Sequence, residues 1–410
     1  MRRSDTNAPE SAPAEVTIEK WAYGGKGLAR IEGQVVLVPL VLPGERVRVQ
    51  PERRRSGMLE ASLAEIVSPS PDRVEPPCRH FGVCGGCHYQ HAPYVIQIVR
   101  KADVLREVLQ RVGKLEAPGP IGIVASASLG YRNRAQFHIR NGEAGYLEGG
   151  SHRLRVIDEC PICSPGINSA LGALGAMLRD RRFPSFLRTI EFFTNESETQ
   201  VNVVDSERPV ARRFFEWCAE QIPGYVPGSL EYKAGGELYR VSGGSFFQVN
   251  RFLTEALVEV ALDNCRGDVA LDLYAGVGLF TLPLARRFEA VTAVESGASA
   301  ARDLAFNAER AGVEVEVERG LVAGKLAKFS RRPDFVLADP PRAGLGPAVV
   351  AELLRLKPRR LVLISCEPAT LARDLASLAA GGYKIEQITV VDLFPQTYHI
   401  ETVTKLGLTD

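Results

Sequence analysis

The sequence of 410 residues contains no apolar run that approaches the ~20 residues needed to span a membrane. Its first residues, MRRSDTNAPESAPAE, hold two arginines but no apolar stretch behind them, so they do not match a signal peptide. We expect them to be a disordered tail of about a dozen residues. Internal repeats and low-complexity tracts are also missing. The chain is therefore expected to be a cytoplasmic protein without a membrane partner, in roughly two to three domains.

Positive charge is spread unevenly along the chain. The formal net charge is only +1, which by itself argues against a nucleic-acid partner. One segment, residues 78–155, nevertheless holds eleven basic side chains against five acids. The eleven are Arg79, Arg100, Lys101, Arg106, Arg111, Lys114, Arg132, Arg134, Arg140, Arg153 and Arg155. We predict that they form a phosphate-binding surface, with Arg132 and Arg134 on one face of a strand. The alternative is a solvated basic face without a partner.

The pattern of apolar residues and glycine turns predicts three domains. Residues 14–69 alternate short strands with glycine turns, which is typical of a small OB-like β-barrel, and the Pro-rich residues 68–77 predict a linker. Residues 70–235 predict a mixed α+β domain with an amphipathic helix at 94–113 and a hairpin turn at Asn141. From 236 to 410, strands and helices alternate, which predicts an α/β fold with a largely parallel, doubly wound sheet.

A glycine turn in the last domain predicts a nucleoside-binding crevice. The stretch ALDLYAGVGLFTLPLA (270–285) predicts a strand, a turn and a helix, and Gly276 and Gly278 allow backbone amides to approach a ligand. Glu295 ends the next strand, where its carboxylate can accept hydrogen bonds from both hydroxyls of a ribose. The three-glycine fingerprint of pyrophosphate binding is absent, so the pattern suits S-adenosylmethionine, which has a ribose but no phosphate. A structural turn with a surface glutamate is the alternative.

Two further strands of this domain end in reactive side chains. Asp339 follows a strand in ADPPR, where two prolines fix the backbone and hold the carboxyl at the edge of the crevice. A helix N-cap is the alternative for this residue. Cys366 follows the next strand, in LVLISCEPATL. Ligands bind at the carboxyl ends of strands in open α/β sheets, so we expect Cys366 to act in catalysis rather than as a buried structural thiol.

The other cysteines suggest a metal site. In CRHFGVCGGCHYQH three thiols fall within ten residues, and a fourth that precedes a proline can complete a four-thiolate set. These four are Cys78, Cys84, Cys87 and Cys160. The spacing alone leaves iron–sulfur and zinc open, because His80, His88 and His91 are also near. Cys163 is an alternative fourth ligand, whereas Cys218 and Cys265 are expected to be packing residues.

Five motifs in the last domain resemble those of the RNA uracil-5-methyltransferases. In chain order they are FFQVN (246–250), DLYAGVG (272–278), DPPR (339–342), SCEPATLARD (365–374) and FPQTYHIETV (394–403). The predicted barrel resembles a TRAM domain, an RNA-binding module often fused to such enzymes. The cysteine pattern resembles the family's iron–sulfur site. The resemblance spans residues 14–410 and implies a class I, Rossmann-like methyltransferase domain at 236–410.

The resemblance implies the transfer of a methyl group from S-adenosylmethionine to C5 of a uridine in RNA. C5 is a poor nucleophile, so in this family a cysteine thiolate first adds to C6, and Cys366 matches that nucleophile. Glu401 matches the general base that removes the C5 proton. Together with Gly276 of the glycine turn, the residues expected to bind the cofactor are Gln248, Tyr274, Glu295 and Asp339.

The resemblance also implies a [4Fe–4S] cluster held by Cys78, Cys84, Cys87 and Cys160 in a monomeric protein. RNA is the expected partner, and a target uridine inside structured RNA would have to be flipped out into the crevice. Relatives with both a TRAM domain and the cysteines resemble the branch that modifies 23S ribosomal RNA. Transfer RNA is the alternative, although the branch that modifies it lacks both features.

Three positions depart from the family pattern. Leu279 stands where many relatives have Asn, and ERGLVAG (318–324) lacks the Asp expected after the third strand. Glu367 stands beside the predicted nucleophile where Asn is common, and a nearby carboxylate tends to raise the pKa of a thiol.

Three other protein classes are alternatives: a radical S-adenosylmethionine enzyme, a non-catalytic RNA-binding protein, and a methyltransferase acting on DNA or a base nitrogen. The C-x5-C-x2-C spacing argues against the first and the presence of both Cys366 and Glu401 against the second. A methyltransferase that acts on a base nitrogen needs no thiol, and the basic segment with the TRAM-like barrel favours RNA over DNA.

Overall fold

The computed structural model describes residues 6–7, 12–55 and 57–409, and the structural statements below refer to these residues. The chain packs into two compact units. The first contains the residues up to Val104, Leu147–Arg155 and Phe394–His399, and the second contains Leu105–Tyr146, Val156–Leu393 and the chain from Ile400 onward. The division into three domains at residues 69 and 235 stays a prediction.

The first unit contains a small β domain. Its strands are β1 (Thr6–Asn7), β2 (Ala14–Thr17), β3 (Lys20–Ala22), β4 (Lys26–Ile31), β5 (Gln34–Pro39), β6 (Arg46–Arg55) and β7 (Met58–Ser68). They pair in the order β1-β6-β7-β5-β4-β3, and β2 also pairs with β6. Alternate side chains, among them Val36, Val47 and Ala61, fill one core. The predicted β domain is confirmed, whereas most of the predicted tail lies outside the described residues.

The amphipathic helix predicted at 94–113 is confirmed. Helix α1 (Tyr94–Val108) runs into a π-helical turn at Leu109–Gly113, and Lys114 then adopts a left-handed conformation that ends it. The turn at Asn141-Gly142 also forms as predicted, because both residues have positive φ and join two antiparallel strands. No helix in the described part of the chain has the length and apolarity that a membrane crossing requires.

The second unit contains a mixed antiparallel sheet and a separate hairpin. The elements from residue 122 to residue 242 are β8 (Gly122–Val124), β9 (Arg134–Arg140), β10 (Glu143–Leu147), β11 (Leu154–Val156), α2 (Pro165–Met177), β12 (Leu187–Thr194), β13 (Thr199–Ser206), α3 (Arg212–Gln221), β14 (Tyr225–Val226), β15 (Ser229–Ala234) and β16 (Glu237–Ser242). Of these, the last residue of β10 and the first two residues of β11 belong to the first unit. Strands β10, β9, β12, β13 and β14 are neighbours in that order, and β15 pairs with β16.

An eight-stranded sheet forms the rest of the second unit. The elements are α4 (Thr254–Leu262), β17 (Gly267–Leu273), α5 (Thr281–Ala285), β18 (Phe288–Glu295), α6 (Ala298–Ala311), β19 (Glu316–Arg319), α7 (Val322–Leu326), β20 (Phe335–Ala338), α8 (Gly346–Leu356), β21 (Arg360–Ser365), α9 (Pro368–Ala380), β22 (Tyr383–Val391) and β23 (Thr402–Leu408). The strand order is β19-β18-β17-β20-β21-β23-β22-β8. The predicted Rossmann-like α/β fold is confirmed.

One strand departs from the parallel arrangement. Strand β23 lies between β21 and β22 and runs antiparallel to both. The chain between β22 and β23, residues 392–401, contains no helix. A parallel return needs a crossover of a dozen or more residues, so this short connection favours an antiparallel strand. We call residues 392–401 the base loop, because they end at Glu401, the predicted general base.

Candidate active site

The carboxyl end of β21 lies beside the start of β23. Ser365 pairs with Thr402, whose hydroxyl also donates to the Ser365 carbonyl at 3.0 Å. The residues that follow and precede this pair, Cys366 and Glu401, therefore lie at one edge of the sheet, where their side chains interact electrostatically. Glu401 immediately precedes β23 and lies at the carboxyl end of β21 because β23 runs antiparallel to that strand.

The thiol of Cys366 sits in an environment that disfavours its charged form. Burial raises its pKa to about 11, and the negative charges of Glu401 and Asp339 act in the same direction. The guanidinium of Arg342, the last residue of DPPR, lowers it. Glu401 is thus the nearby carboxylate that raises the pKa of the thiol most. Glu367, which departs from the family pattern, lies at the N-terminus of α9.

Three carboxyls lie near the same edge, of which Asp272 and Glu401 are buried and Asp339 is half-buried. Burial raises the pKa of Asp339 to about 7, and burial followed by the charge of Asp339 raises that of Glu401 well above its usual value. Burial likewise raises the pKa of Asp272, at the end of β17, to about 7, and the charges of Asp339 and Glu295 add to this shift. The Thr281 hydroxyl donates a hydrogen bond to Asp272 and opposes the shift. Buried acids with raised pKa values in a crevice are typical of functional sites.

Asp272 and Arg342 were not predicted as site residues, although they lie in the DLYAGVG and DPPR motifs. Asp272 carries a recognisable signal, because it is the one charged residue in the apolar run VALDLYAG. Its Oδ1 atom is buried and has no hydrogen-bond partner within the described ranges. Arg342 gave no such signal, because an exposed arginine after two prolines is unremarkable without knowledge of what lies nearby.

Hydrogen bonds join the glycine turn to Glu295. The Glu295 carboxylate accepts hydrogen bonds from the backbone amides of Gly276 at 2.9 Å and Gly297 at 2.5 Å. Gly276 has a φ of 57°, which glycine adopts without strain. Half-buried Tyr274 has a φ of 64°, which is uncommon for a residue with a side chain. The turn thus presents Tyr274 and an acid at the carboxyl ends of β17 and β18.

The FFQVN segment is fixed on both sides of Gln248. Before it, the Ser245 hydroxyl donates to the buried Asp303 of α6 at 2.8 Å. After it, the Asn250 amide donates to the Leu393 carbonyl in the base loop at 3.2 Å. Gln248 itself is buried. Two elements of the site, the helix after Glu295 and the loop before Glu401, therefore hold this segment.

The predicted cluster ligands are distributed over both units. Cys78, Cys84 and Cys87 lie in a run of turns between β7 and α1, and all are partly exposed. Cys160 is buried shortly before α2, and Cys163 is buried with its sulfur 3.5 Å from the Tyr146 hydroxyl. Among residues 6–7, 12–55 and 57–409, no three Cys, His, Asp or Glu side chains are arranged as a metal site. Four thiols have the donor chemistry of an iron–sulfur site, so these ligands stay a prediction.

Only some of the basic side chains in residues 78–155 are exposed on the surface. Lys101 is 1% exposed and donates to the Phe394 carbonyl at 2.9 Å. Arg134 is 9% exposed and pairs with Glu191, and the half-buried Arg132 donates to the Arg134 carbonyl. The prediction that Arg134 contacts phosphates is wrong, because its charge is already neutralised inside the fold.

Comparisons with known proteins agree with this architecture. Two family models match the chain, "TRAM domain" at residues 14–64 and "tRNA (Uracil-5-)-methyltransferase" at residues 223–407. The 23S rRNA (uracil(1939)-C(5))-methyltransferase RlmD of Halomonas elongata is 33% identical over 99% of this chain and 92% of its own. The RlmD of Alkalilimnicola ehrlichii is 32% identical over 95% of this chain and 96% of its own.

A solved structure shares nearly the whole fold. The tRNA (uracil-54, C5)-methyltransferase of Pyrococcus abyssi, in complex with S-adenosyl-L-homocysteine, has a TM-score of 0.77 and 27% identity, and the match covers 96% of this chain and 100% of that one. That enzyme binds the product of S-adenosylmethionine after methyl transfer. Since sequence identity and fold agree from the TRAM domain to β23, the chain belongs to the S-adenosylmethionine-dependent RNA uracil-C5 methyltransferases.

Proposed function

We propose that the protein methylates C5 of a uridine in 23S ribosomal RNA through a covalent adduct between Cys366 and C6. The observation that carries the mechanism is the pairing of Ser365 with Thr402, which sets a thiol and a buried carboxyl side by side. The two relatives named for 23S rRNA methylation support the substrate, because they are similar over almost the full chain.

The reaction divides into three steps. The Cys366 thiolate, having lost its proton to solvent, adds to C6, and the electrons of the C5–C6 double bond move toward O4. C5 then attacks the methyl carbon of the sulfonium, whose S–CH3 bonding pair returns to sulfur and leaves S-adenosylhomocysteine. Glu401 takes the C5 proton, the electrons of the C–H bond re-form the double bond, and the Cys366 thiolate leaves.

The remaining predicted residues prepare the crevice. In this proposal Glu295 accepts hydrogen bonds from the ribose hydroxyls, and Gly276, Tyr274, Gln248 and Asp339 contact the cofactor or the flipped base. The carboxyls at the strand ends favour a cation, which suits the positively charged sulfonium. Arg342 lowers the pKa values of both Cys366 and Glu401 and so favours the ionised nucleophile and base.

The proposal includes an iron–sulfur cluster. Four thiols without a carboxylate suit a [4Fe–4S] cluster held by Cys78, Cys84, Cys87 and Cys160, in a monomer that acts on RNA in the cytoplasm. The cluster supplies a structural crosslink when bound. No step of the methyl transfer depends on it.

Transfer RNA is the second candidate substrate. It is favoured by the match to the tRNA (Uracil-5-)-methyltransferase family model and by the similarity to the tRNA (uracil-54, C5)-methyltransferase of Pyrococcus abyssi. Mapping 5-methyluridine in the RNA of a deletion strain separates the two. Loss of one modification from 23S ribosomal RNA is expected, and its loss from transfer RNA alone would contradict the proposed substrate.

The mechanism is tested with two variants that fail at different steps. Cys366→Ala is expected to bind RNA and cofactor but transfer no methyl group. Glu401→Gln is expected to accumulate a covalent protein–RNA complex that carries label from a methyl-labelled cofactor, because removing a general base slows its step by ~10²–10⁴-fold. Methylation by Cys366→Ala would contradict the covalent mechanism. Absence of the complex in Glu401→Gln would make Asp339 or Glu367 the next candidate base.

A further inference from the structure

We propose that Gln97 and Gln396 form a clamp that positions Glu401 for removal of the C5 proton. This inference rests on the proposed function, in which Glu401 is the base. Neither glutamine touches the reacting atoms in this proposal. They act through the base loop, and their loss should therefore impair one step of the reaction rather than all of them.

The two side chains are joined by reciprocal hydrogen bonds. The Gln97 Nε2 atom donates to Gln396 Oε1 at 2.9 Å, and the Gln396 backbone amide donates to Gln97 Oε1 at 3.0 Å. Gln97 also donates to the carbonyls of Ala92 at 2.9 Å and Tyr89 at 3.1 Å. Gln97 is completely buried and Gln396 is 5% exposed. Buried amides satisfied in this way fix the geometry of the groups that they join.

The backbone of the base loop is held by the same part of the first unit. The Gln396 carbonyl accepts hydrogen bonds from the backbone amides of His88 at 2.8 Å and Tyr89 at 3.0 Å. Two residues earlier, the Phe394 carbonyl accepts from the buried Lys101 ammonium at 2.9 Å. A segment without regular secondary structure is therefore bonded through its backbone and its side chain alike.

Gln396 has a strained backbone that these contacts maintain. Its φ is 67°, in the left-handed region that glycine and asparagine tolerate and that costs other residues free energy. Such a conformation persists where the surrounding bonds over-determine it, and it clusters at functional sites. The clamp supplies those bonds, since the Gln396 amide, carbonyl and side chain all have partners in it.

The clamp lies in the middle of the base loop. At one end of the loop Asp392 donates its backbone amide to the Val124 carbonyl, and at the other the Glu401 carbonyl accepts from the Val391 amide. Cys366 lies on a different connection, between β21 and α9. A loosened clamp should thus displace Glu401 without moving the nucleophile, and a misplacement of about 1 Å can cost about 10²-fold in rate.

Two variants loosen the clamp in different ways. Gln97→Met keeps the volume of the side chain and removes all its hydrogen bonds. Gln396→Asn shortens the other partner by one methylene and tolerates the left-handed backbone, so it keeps the test available if Gln97→Met does not fold. The matched control is Gln200→Met. Gln200 is 1% exposed and donates to the carbonyls of Gly228 and Val241, both at 3.0 Å.

The experiment measures methyl transfer and product release separately in a single turnover with labelled cofactor. In both clamp variants, transfer onto RNA is expected near the wild-type rate, whereas release of RNA from the protein slows by about 10- to 100-fold and labelled adduct accumulates. Gln200→Met is expected to lose thermal stability without accumulating adduct.

Two outcomes would overturn the inference in distinguishable ways. If Glu401→Gln accumulates adduct but the clamp variants accumulate no more than Gln200→Met, the clamp does not position the base and the proposed function stands. If Glu401→Gln itself accumulates none, the base assignment is wrong and the clamp proposal falls with it.

Discussion

The guanidinium of Arg134 lies 2.7 Å from the carboxylate of Glu191, and both side chains are buried. Arg134 also donates to the Ser245 carbonyl at 2.7 Å, and Glu191 accepts from Gln136 at 2.9 Å. Burial acts to raise the pKa of Glu191, but the hydrogen bond and charge of Arg134 outweigh it, so that the pKa is lowered. This buried pair is a structural element of the mixed sheet.

We predict that Arg134→Ala destabilises the fold, by about 3–5 kcal/mol in urea denaturation, because it leaves the Glu191 charge buried without its partner. The salt dependence of RNA binding should not change. Arg111→Ala serves as the contrast, since the Arg111 side chain is 69% exposed. If Arg111 contacts a phosphate, its loss lowers the slope of log K against log salt by about 1 at unchanged stability. A loss of stability in Arg111→Ala together with a lower salt slope in Arg134→Ala would contradict the argument from burial.

The charges around Cys366 predict how its reactivity responds to substitution. Below its raised pKa the thiolate fraction grows tenfold per pH unit, so alkylation at about pH 8 reports that pKa. Glu401→Gln removes a negative charge and is expected to speed alkylation of Cys366 several-fold. Arg342→Met removes a positive charge and is expected to slow it. The rates are read from the Cys366 peptide by mass spectrometry, with Glu367→Gln as the control, and equal rates in all variants would refute this electrostatic account.

The buried carboxyl of Asp272 predicts that its replacement by asparagine stabilises the protein at high pH. Its folded-state pKa is raised from 3.8 to about 7, so its contribution to folding is present at low pH and is lost as pH rises through 7. The loss amounts to about 1.4 kcal/mol per pH unit between the two pKa values. Asp272→Asn lacks this titration. It is expected to exceed the wild type in free energy of unfolding above about pH 8 and to approach it near pH 5.

The control for Asp272 is Asp180→Asn. Asp180 is only partly buried, and the hydrogen bond from Arg182 lowers its pKa, which is the opposite shift. This variant should show no gain at high pH. A gain of the same size in both variants would point to a general effect of charge removal, and would contradict the argument from burial.

The cysteine pattern predicts iron in the purified protein. After anaerobic purification the protein is expected to be brown, with about four iron atoms per chain. Cys160→Ser should lose iron. Cys218→Ser, which alters a buried thiol on α3, should keep it. Colourless protein with stoichiometric zinc would instead support the zinc alternative, and iron loss in Cys163→Ser but not in Cys160→Ser would reassign the fourth ligand.

Local patterns predicted the elements of the site better than their surroundings. The glycine turn with Glu295, and the strand ends that hold Asp339 and Cys366, follow from apolar periodicity and from the rule that ligands bind at carboxyl ends of strands. The antiparallel insertion of β23 was not predictable in this way. Which strand neighbours which depends on long-range pairing, and the apolar pattern of β23 suits either direction.

The burial of charged side chains could not be predicted from the sequence either. Arg134 and Arg132 alternate in the sequence as surface residues of a strand would, yet a carboxylate from β12 pairs with one of them inside the fold. The clamp has the same origin, because Gln97 and Gln396 are far apart in the chain and glutamine is ordinary at exposed positions. Such contacts join residues that no local pattern connects.

The place of β23 between β21 and β22 orders the assembly of the enzyme during its synthesis. Cys366 leaves the ribosome well ahead of β23, and at about 5–20 residues per second the interval lasts seconds. Throughout it β21 and β22 lack the strand that pairs with both of them in the finished sheet, about 4.8 Å from each. A nascent chain at this stage carries Cys366 but not Glu401. Strand β23 therefore completes this sheet and the proposed catalytic pair together.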